Sequence, residues 1–351
     1  MRNLFRIIGC AALLSAVPAL RAQDPPADPN VEVLTRGPVH EAYANAVSSQ
    51  PAPGLLAPKQ PPEAIEELPP AEKPEGDNVQ WIPGYWAWDE DKQDYLWVSG
   101  FWRVPPPDRT WVPGAWRDSG NGQWQWTSGF WNAATVADVQ YLPAPPPPPA
   151  EAAPPPQPNP DQVYAPGTWV YRDTHYVWRP GFYYTYRPGW VYVPSHYSWT
   201  PYGYIFVDGY WDYPLRQRGV LFTPVYFTAG VYYRPGFVYR PSYVVYDDAL
   251  YGALFVRPGG GYYFGDYFEA RYTSLGYRSW FSVSIGIGAR DPYPYRYDPL
   301  FVYYRRTNGP TWAVQVNNIY VERARFPDRR PPRTLSQQTT VINNITNNTT
   351  V

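Results

Sequence analysis

The feature that most constrains this chain is the pattern W-x-x-G-x-W, met four times between residues 81 and 131: WIPGYW (81–86), WVSGFW (97–102), WVPGAW (111–116) and WTSGFW (126–131). Trp81 and Trp111 are 30 residues apart, and Trp97 and Trp126 are 29 apart. The repeat is therefore a unit of about 30 residues with two half-units, one carrying Pro-Gly and the other Ser-Gly. Between the halves lie DEDKQD (89–94) and DSGNG (118–122), turn sequences whose Asp, Asn and Gly tolerate a left-handed or locally hydrogen-bonded backbone. The flanking YWAW, YLWV and QWQW are β-formers. Each unit thus reads as a β-hairpin, with VPPPDR (104–109) joining the two. An isolated hairpin is marginal in water. Cross-strand Trp pairs add roughly 0.5–1.5 kcal/mol each beyond the area they bury, and a strand glycine leaves a gap that a neighbouring ring covers. Trp residues five apart face opposite sides of a regular strand. The reading is therefore that Pro83-Gly84, Ser99-Gly100, Pro113-Gly114 and Ser128-Gly129 are β-bulges that bring both indoles to one face.

The rest of the chain divides around this block. Residues 1–22 read as a secretory signal peptide: Arg2 and Arg6, then an apolar run too short to span a bilayer, then cleavage after Ala19 or Ala22. Cys10, the single cysteine, falls inside it, so the mature chain is expected to lack thiol chemistry and disulfides. Residues 23–78 read as a Pro/Ala/Glu-rich linker with at most a short helical stretch around 40–47, and 143–160 as a polyproline linker. They flank the four-strand repeat block at 79–142 and precede an aromatic-rich β block with degenerate repeats at 161–290. A mixed segment, 291–334, carries a short helix near 298–308, with Asp298 as N-cap, Pro299 at the first position and Gly309 past the end, followed by a basic exit. Residues 335–351 form an Asn/Thr-rich polar tail that could self-associate. The expected fold is mainly β: antiparallel Trp-rich hairpins in a meander, in two blocks separated by the polyproline linker, with disordered termini.

With 46 Pro and 27 Gly the chain approaches low-complexity composition, yet 34 Tyr, 17 Trp and 14 Phe argue for packed structure. Net charge is −1, which gives no field to draw nucleic acid or anionic lipid, and no membrane anchor is expected. The arginines of 322–334 read as a solvated stretch.

The repeated motif resembles the WXXGXW (YXWGXW) repeat family of exported bacterial proteins. RGPVHEAYA (36–44), PPAEKPEGDNVQWIPGYWAWD (69–89), IFVDGYWDYPL (205–215), YYFGDYF (262–268) and PPRTLSQQTTVINNIT (331–346) are similar to a planctomycete-type subgroup. The resemblance implies a location in the periplasm, the cell envelope or the cell surface, and it implies no activity.

The residues show no chemistry to add. His40, His175 and His196 stand without a ligand set, the acidic turn at 89–94 lacks the glycine of a Ca²⁺ loop and reads as a solvated tip, and Gly259-Gly260-Gly261 reads as a bend. No catalytic, cofactor-binding or metal-binding residue is assigned. The remaining signal is aromatic. Trp86, Trp88, Trp97 and Trp102 in the first unit, with Trp116, Trp124, Trp126 and Trp131 in its copy, are candidates for a platform that stacks on envelope polysaccharide or an envelope protein, against the alternative that they fill a thin core. The function read from the sequence is a non-enzymatic exported structural or interaction protein. An outer-membrane β-barrel and a cryptic hydrolase are the rival classes.

Overall fold

In the computed structural model, residues 28–334 are described, apart from 49–50, 137, 150–154, 229 and 282–296. The signal peptide, the SVSIGIG stretch (282–288) and the polar tail lie outside them.

The chain is mainly β, and its repeating element is a hairpin of four short strands that occurs four times. In unit 1, Tyr85–Asp89 pairs with Asp94–Val98, and beyond a two-residue gap on each side Gln80–Ile82 pairs with Phe101–Arg103. Unit 2 repeats this with Ala115–Gly120 on Gln123–Thr127 and Arg109–Val112 on Phe130–Ala133. Units 3 and 4 come from the degenerate block. Unit 3 pairs Thr168–Arg172 with His175–Arg179 and Gln162–Ala165 with Phe182–Thr185. Unit 4 pairs His196–Thr200 with Gly203–Val207 and Val191–Val193 with Tyr210–Asp212.

The gaps fall on Pro83-Gly84 and Ser99-Gly100 and on their counterparts, but they are not bulges. A bulge opposes two residues to one. Here Ile82 faces Phe101 before the gap and Tyr85 faces Val98 after it, so each strand skips two residues and the register is unchanged. Unit 2 likewise keeps its register from Val112↔Phe130 to Ala115↔Thr127, and shifts only at the turn, between Asp118 and Gly120.

Within this register the motif explains itself. The last aromatic of one motif pairs with the first aromatic of its partner: Trp86 with Trp97 and Trp81 with Trp102, at ring-centroid distances of 5.2 and 5.5 Å. The glycine lies two residues before the last aromatic, diagonally across from the partner's first ring, within reach of a large side chain. A Cβ on Gly84 would lie 2.7 Å from the Trp97 ring, and one on Gly100 would lie 2.7 Å from the Trp81 ring. Gly114 is covered in the same way by Trp126 and Gly129 by Trp111, each at 2.4 Å, Gly181 by Tyr164 at 2.1 Å and Gly209 by Tyr192 at 2.6 Å. Any side chain in the gap would displace the ring that closes it.

The units pack directly on one another. Tyr85 of unit 1 stacks on Trp126 of unit 2 at 4.9 Å, and the Trp116 indole donates to the Trp86 carbonyl. Phe130 of unit 2 shares a small core with Ile205 and Val207 of unit 4, so the polyproline segment does not hold the two blocks apart. Arg103 of unit 1 is fully buried and donates from Nη2 to both carboxylate oxygens of Asp212 of unit 4, which also forms an ion pair with Arg218.

The linker expected at 23–78 contains a packed stretch among its described residues. Val33, Leu34, Val39, His40, Glu41, Ala42, Tyr43 and Ala44 are buried, and residues 41–43 form a turn rather than a helix. Val31–Val33 pairs with Val225–Phe227, which meets unit 1 at Trp97. His40 accepts from the Ala42 amide at Nδ1, so Nε2 carries the proton and donates to the Pro83 carbonyl at 3.1 Å. The acidic tip of unit 1 is not a solvated turn either. Asp91 pairs with Arg36 at 2.5 Å and with Arg271 at 2.7 Å, and Glu90 pairs with Arg257 at 2.8 Å.

The C-terminal part contributes the main core, a hairpin of Leu254–Arg257 on Gly261–Phe264 under two helices. Gly259 and Gly260 lie in its turn, the bend the sequence implied. The helix Pro299–Asn308 is capped as expected, Asp298 accepting from the Phe301 amide. A second helix, Pro310–Arg325, was not foreseen. Its Trp312, Val316 and Tyr320 face the core, while exposed Val314 and Val321 blur the period in the sequence. The arginines of the basic exit are engaged: Arg323 donates to the Gly252 carbonyl and Arg333 pairs with Asp266. Among the described residues no sheet exceeds four strands, which excludes the barrel for this part of the chain. No described helix is long and apolar enough to cross a membrane.

Gly129→Ala places a methyl group against both the Trp111 ring and the Val112 carbonyl. It is expected to cost about 1–3 kcal/mol, the usual range for overpacking. Urea unfolding checks this, and a cost under about 0.5 kcal/mol, the level of a neutral surface change, would mean that the ring is not held against the glycine.

Candidate functional site

The eight tryptophans read as a platform do not form one. Trp86, Trp88, Trp97, Trp126 and Trp131 are buried, and Trp102, Trp116 and Trp124 are half-buried. The physical reason is the pairing just described: apart from Trp124, each ring is spent on an aromatic cross-strand partner, on a glycine, or on the core that unit 1 shares with Phe227 and Tyr232.

What these indoles keep available is the N–H edge, and it is directed at the Pro/Glu-rich segments. In unit 1, Trp86 Nε1 donates to the Glu63 carbonyl at 2.8 Å, and Trp102 Nε1 to the Pro70 carbonyl at 2.8 Å. Between them Glu67 inserts its carboxylate into the gap of the hairpin. Its Oε1 accepts from Trp97 Nε1 at 3.0 Å, and its Oε2 accepts from the amides of Gly100 at 2.9 Å and Gly84 at 3.2 Å. These amides are free because the gap takes two residues of each strand out of the ladder. The segment itself is held as a short parallel strand, Glu66–Glu67 on Val238–Tyr239.

Unit 2 repeats the arrangement with a residue from elsewhere in the chain. Glu41 accepts from Trp126 Nε1 at 2.9 Å through Oε1 and from the Gly129 amide at 2.8 Å through Oε2. The Leu55 carbonyl accepts from the Trp126 amide, and Leu56–Ala57 adds a strand beside Gln123–Thr127. Unit 3 presents phenols and an indole to the second Pro-rich segment. Tyr176 donates to the Pro143 carbonyl at 2.6 Å, Trp169 Nε1 to Pro147 at 3.2 Å and Tyr183 to Pro155 at 2.6 Å. Unit 4 differs: Phe206 stands where the first indole of the second motif would be, and the Gly209 amide donates to Ser195 Oγ at 2.8 Å.

The two carboxylates sit in different balance from surface groups. Burial pushes Glu67 up to about 7, against the pull of Trp97, Gly100 and Gly84. Glu41 is likewise raised by burial, opposed by Trp126, Gly129 and Ser128. His40, buried beside them, is lowered to about 4 by desolvation and stays neutral.

Pro83, Gly84, Ser99, Gly100, Pro113, Gly114, Ser128 and Gly129 are therefore the gap residues, and the glycine amides are the part of them that binds. Glu41 and Glu67 were not picked out from the sequence. They lie in stretches that read as solvated, and nothing local marks an acid as the partner of a distant glycine. Among the described residues no cluster of His, Cys, Asp or Glu could hold a metal ion.

The family model of the WXXGXW repeat (2 copies) matches residues 76–103, 159–181, 187–212 and 202–216, which fall in units 1, 3 and 4. No curated protein and no solved structure matches the chain.

Because the folded-state pKa of Glu67 is raised, its contribution to stability is full below about pH 4.5 and is lost as pH rises through about 7. Glu67→Gln removes this dependence. The melting-temperature difference, wild type minus variant, is expected to fall between pH 4.5 and 7.5. A difference that is flat or rises over that range would contradict the assignment.

Proposed function

We infer, for a chain in which three of the four hairpins match the WXXGXW repeat model, that it is a non-catalytic repeat protein whose aromatic hairpins hold extended Pro/Glu-rich chain. We read it further as an exported structural or interaction protein of the cell envelope, with envelope proteins as its partners. The observation that carries this is the direction of the donors: indole N–H and phenol O–H groups of units 1 and 3 end on backbone carbonyls at Glu63, Pro70, Pro143, Pro147 and Pro155. Proline-rich chain suits such a receptor. It is extended before it binds, loses little entropy on docking, and offers carbonyls with no competing amide of their own. In this chain the receptors carry its own segments, which makes them a template for what a partner would present. The apparent leader, Arg2 to Ala22, and the family's usual placement support export.

Stacking on envelope polysaccharide would need free ring faces. Five of the eight rings assigned to that task are buried, so the protein-partner reading is preferred. The half-exposed ladder is in unit 3, where Trp169 pairs with Trp178 and Tyr171 with Tyr176 at 5.2 and 5.0 Å.

The test is a titration of the full chain with an end-blocked PAPPPPPA peptide (residues 143–150), followed by intrinsic Trp fluorescence, alongside co-sedimentation with envelope polysaccharide. Saturable quenching by the peptide is the expected outcome. Co-sedimentation with glycan and no response to peptide would reverse the preference.

A further inference from the structure

Units 1, 2 and 4 carry an added segment on the outer edge of the strand that follows the hairpin turn. In unit 2 it is Leu56–Ala57, antiparallel, with Ala57 opposite Trp124. In unit 4 it is Leu142, which exchanges two backbone hydrogen bonds of 2.8 Å with Tyr204. In unit 1 it is Val225–Phe227, which meets the strand at Trp97. Tyr204 lies one residue past Thr200↔Gly203, the pair that closes its turn, and Trp124 lies one past Gly120↔Gln123. Unit 3 has Tyr176 at this position, one past Arg172↔His175. Residues of an antiparallel pair alternate between bonding inward and pointing their N–H and C=O outward. Tyr176 and, two residues on, Trp178 therefore turn their backbone groups to the outside, as Tyr204 does. Among the described residues no strand pairs with His175–Arg179 on that side, and His175, Val177 and Arg179 are exposed. The opposite edge of this hairpin is taken, the Trp169 carbonyl accepting from Tyr197 of unit 4 at 3.0 Å. The described part of the Pro-rich segment meets the rings instead, at Pro143, Pro147 and Pro155, much as Lys59, Glu63 and Pro70 meet Tyr95, Trp86 and Trp102 of unit 1. Unit 1 holds that strap and the edge strand Val225–Phe227 together, so a strap over the rings does not use the edge.

We propose that the outer edge of His175–Arg179 is a strand-addition site, which takes as an antiparallel neighbour an extended segment of a partner protein with an aliphatic residue directly before proline. The edges of units 2 and 4 define this occupant. Ala57 precedes Pro58 and Leu142 precedes Pro143. A residue before proline is held extended, and the proline, which has no N–H, ends the pairing. Main-chain hydrogen bonds give such a contact its affinity, and the alternate side chains give it its choice of partner. In the register of unit 2, where Leu56 faces Gln125, the residue one place earlier would face the exposed Val177. The strand HYVWR lacks the usual devices that close an edge: it has no proline, no lysine and no bulge, and Arg179 is drawn aside to Ser195 Oγ at 2.8 Å. A second copy would offer the same strand, which has no aliphatic–proline step, and pairing about Val177 would set Arg179 against the basic His175. The proposal rests on the interaction reading above and deepens it, adding a contact made by backbone to those made by rings.

The experiment is backbone amide hydrogen exchange of the full chain, read in ¹H–¹⁵N correlation spectra. In the free chain at low concentration, Tyr176 and Trp178 are expected to exchange much faster than their counterparts Tyr204 and Trp126, whose amides donate to Leu142 and Leu55. The probe is the end-blocked peptide GLLAPK (residues 54–59), the segment that fills the edge of unit 2. The control peptide carries an N-methyl group on the amide of its alanine. With GLLAPK at ten times its Kd, exchange at Tyr176 and Trp178 should slow about tenfold, and the control should leave it unchanged. Slow exchange of both amides in the free chain would mean that the chain covers its own edge, and would overturn the proposal. Protection that grows with protein concentration alone would make a second copy the occupant, and overturns it too. A response confined to Trp124 and Trp126 would mean that the probe has replaced Leu56–Ala57; that result, or no response at any amide, refutes the site. Quenching by PAPPPPPA without protection of Tyr176 by GLLAPK would overturn the edge and leave the interaction reading standing; the opposite pair of results would overturn the reading and leave the edge.

Discussion

A ring laid over a glycine of the opposite strand is the contact on which the four hairpins depend. It is reciprocal. In unit 1, Trp97 closes the gap at Gly84 and Trp81 closes the gap at Gly100, and each ring then pairs edge-on with the last aromatic of the other motif. One W-x-x-G-x-W is therefore half of a contact, which is why the motif occurs in pairs about 15 residues apart. Neither half buries anything alone, and a two-stranded ribbon without this covering would be marginal. Where unit 4 replaces the first glycine by Ser195 and one ring by Phe206, the geometry survives because Tyr192 still covers Gly209.

The gap that the ring covers has a second consequence. Taking two residues of each strand out of the ladder leaves glycine amides with no strand partner, and buried amides must be paired. Units 1 and 2 meet that demand with a glutamate brought from 17 to 88 residues away in the chain, and unit 4 meets it with a hydroxyl 14 residues away. The same groups that make the hairpin possible thus make it a binder of carboxylates. In units 1 and 2 they tie residues 28–78 into the fold. Burying those acids costs free energy, visible in the upward shifts of Glu67 and Glu41, and the N–H donors offset only part of it.

Much of this was legible from residue order. Turn chemistry at 89–94 and 118–122 placed both hairpin tips, the Gly–aromatic alternation anticipated the covering, and Asp298, Pro299 and Gly309 bracketed a helix to the residue. What composition misjudged was the Pro-rich chain. Residues 28–78 and 143–160 look like tethers because prolines and acids rarely form a core, yet proline carbonyls and glutamate oxygens are the acceptors that a face of indole and phenol donors requires. Donor and acceptor are each unremarkable in isolation, and only their separation of up to 88 residues in sequence and 3 Å in space reveals the match. The helix Pro310–Arg325 failed for a different reason: exposed Val314 and Val321 give it apolar residues on both faces, so no period stands out.

The tip of unit 1 shows the same principle in charge. Asp91 and Glu90 sit at a turn whose sequence alone promises solvation, but Arg36, Arg271 and Arg257 arrive from three other segments to pair with them. Tyr272 completes this group, donating to Asp91 and accepting from Arg36 and Arg271. Both ends of unit 1 are thereby held by long-range polar contacts, the gap by Glu67 and the tip by arginines, while its middle is held by rings. A hairpin fixed at both ends and packed between them presents its N–H edges in a constant geometry. That constancy is what a receptor for an extended chain needs, since each donor must meet a carbonyl or carboxylate at a set spacing along the ligand.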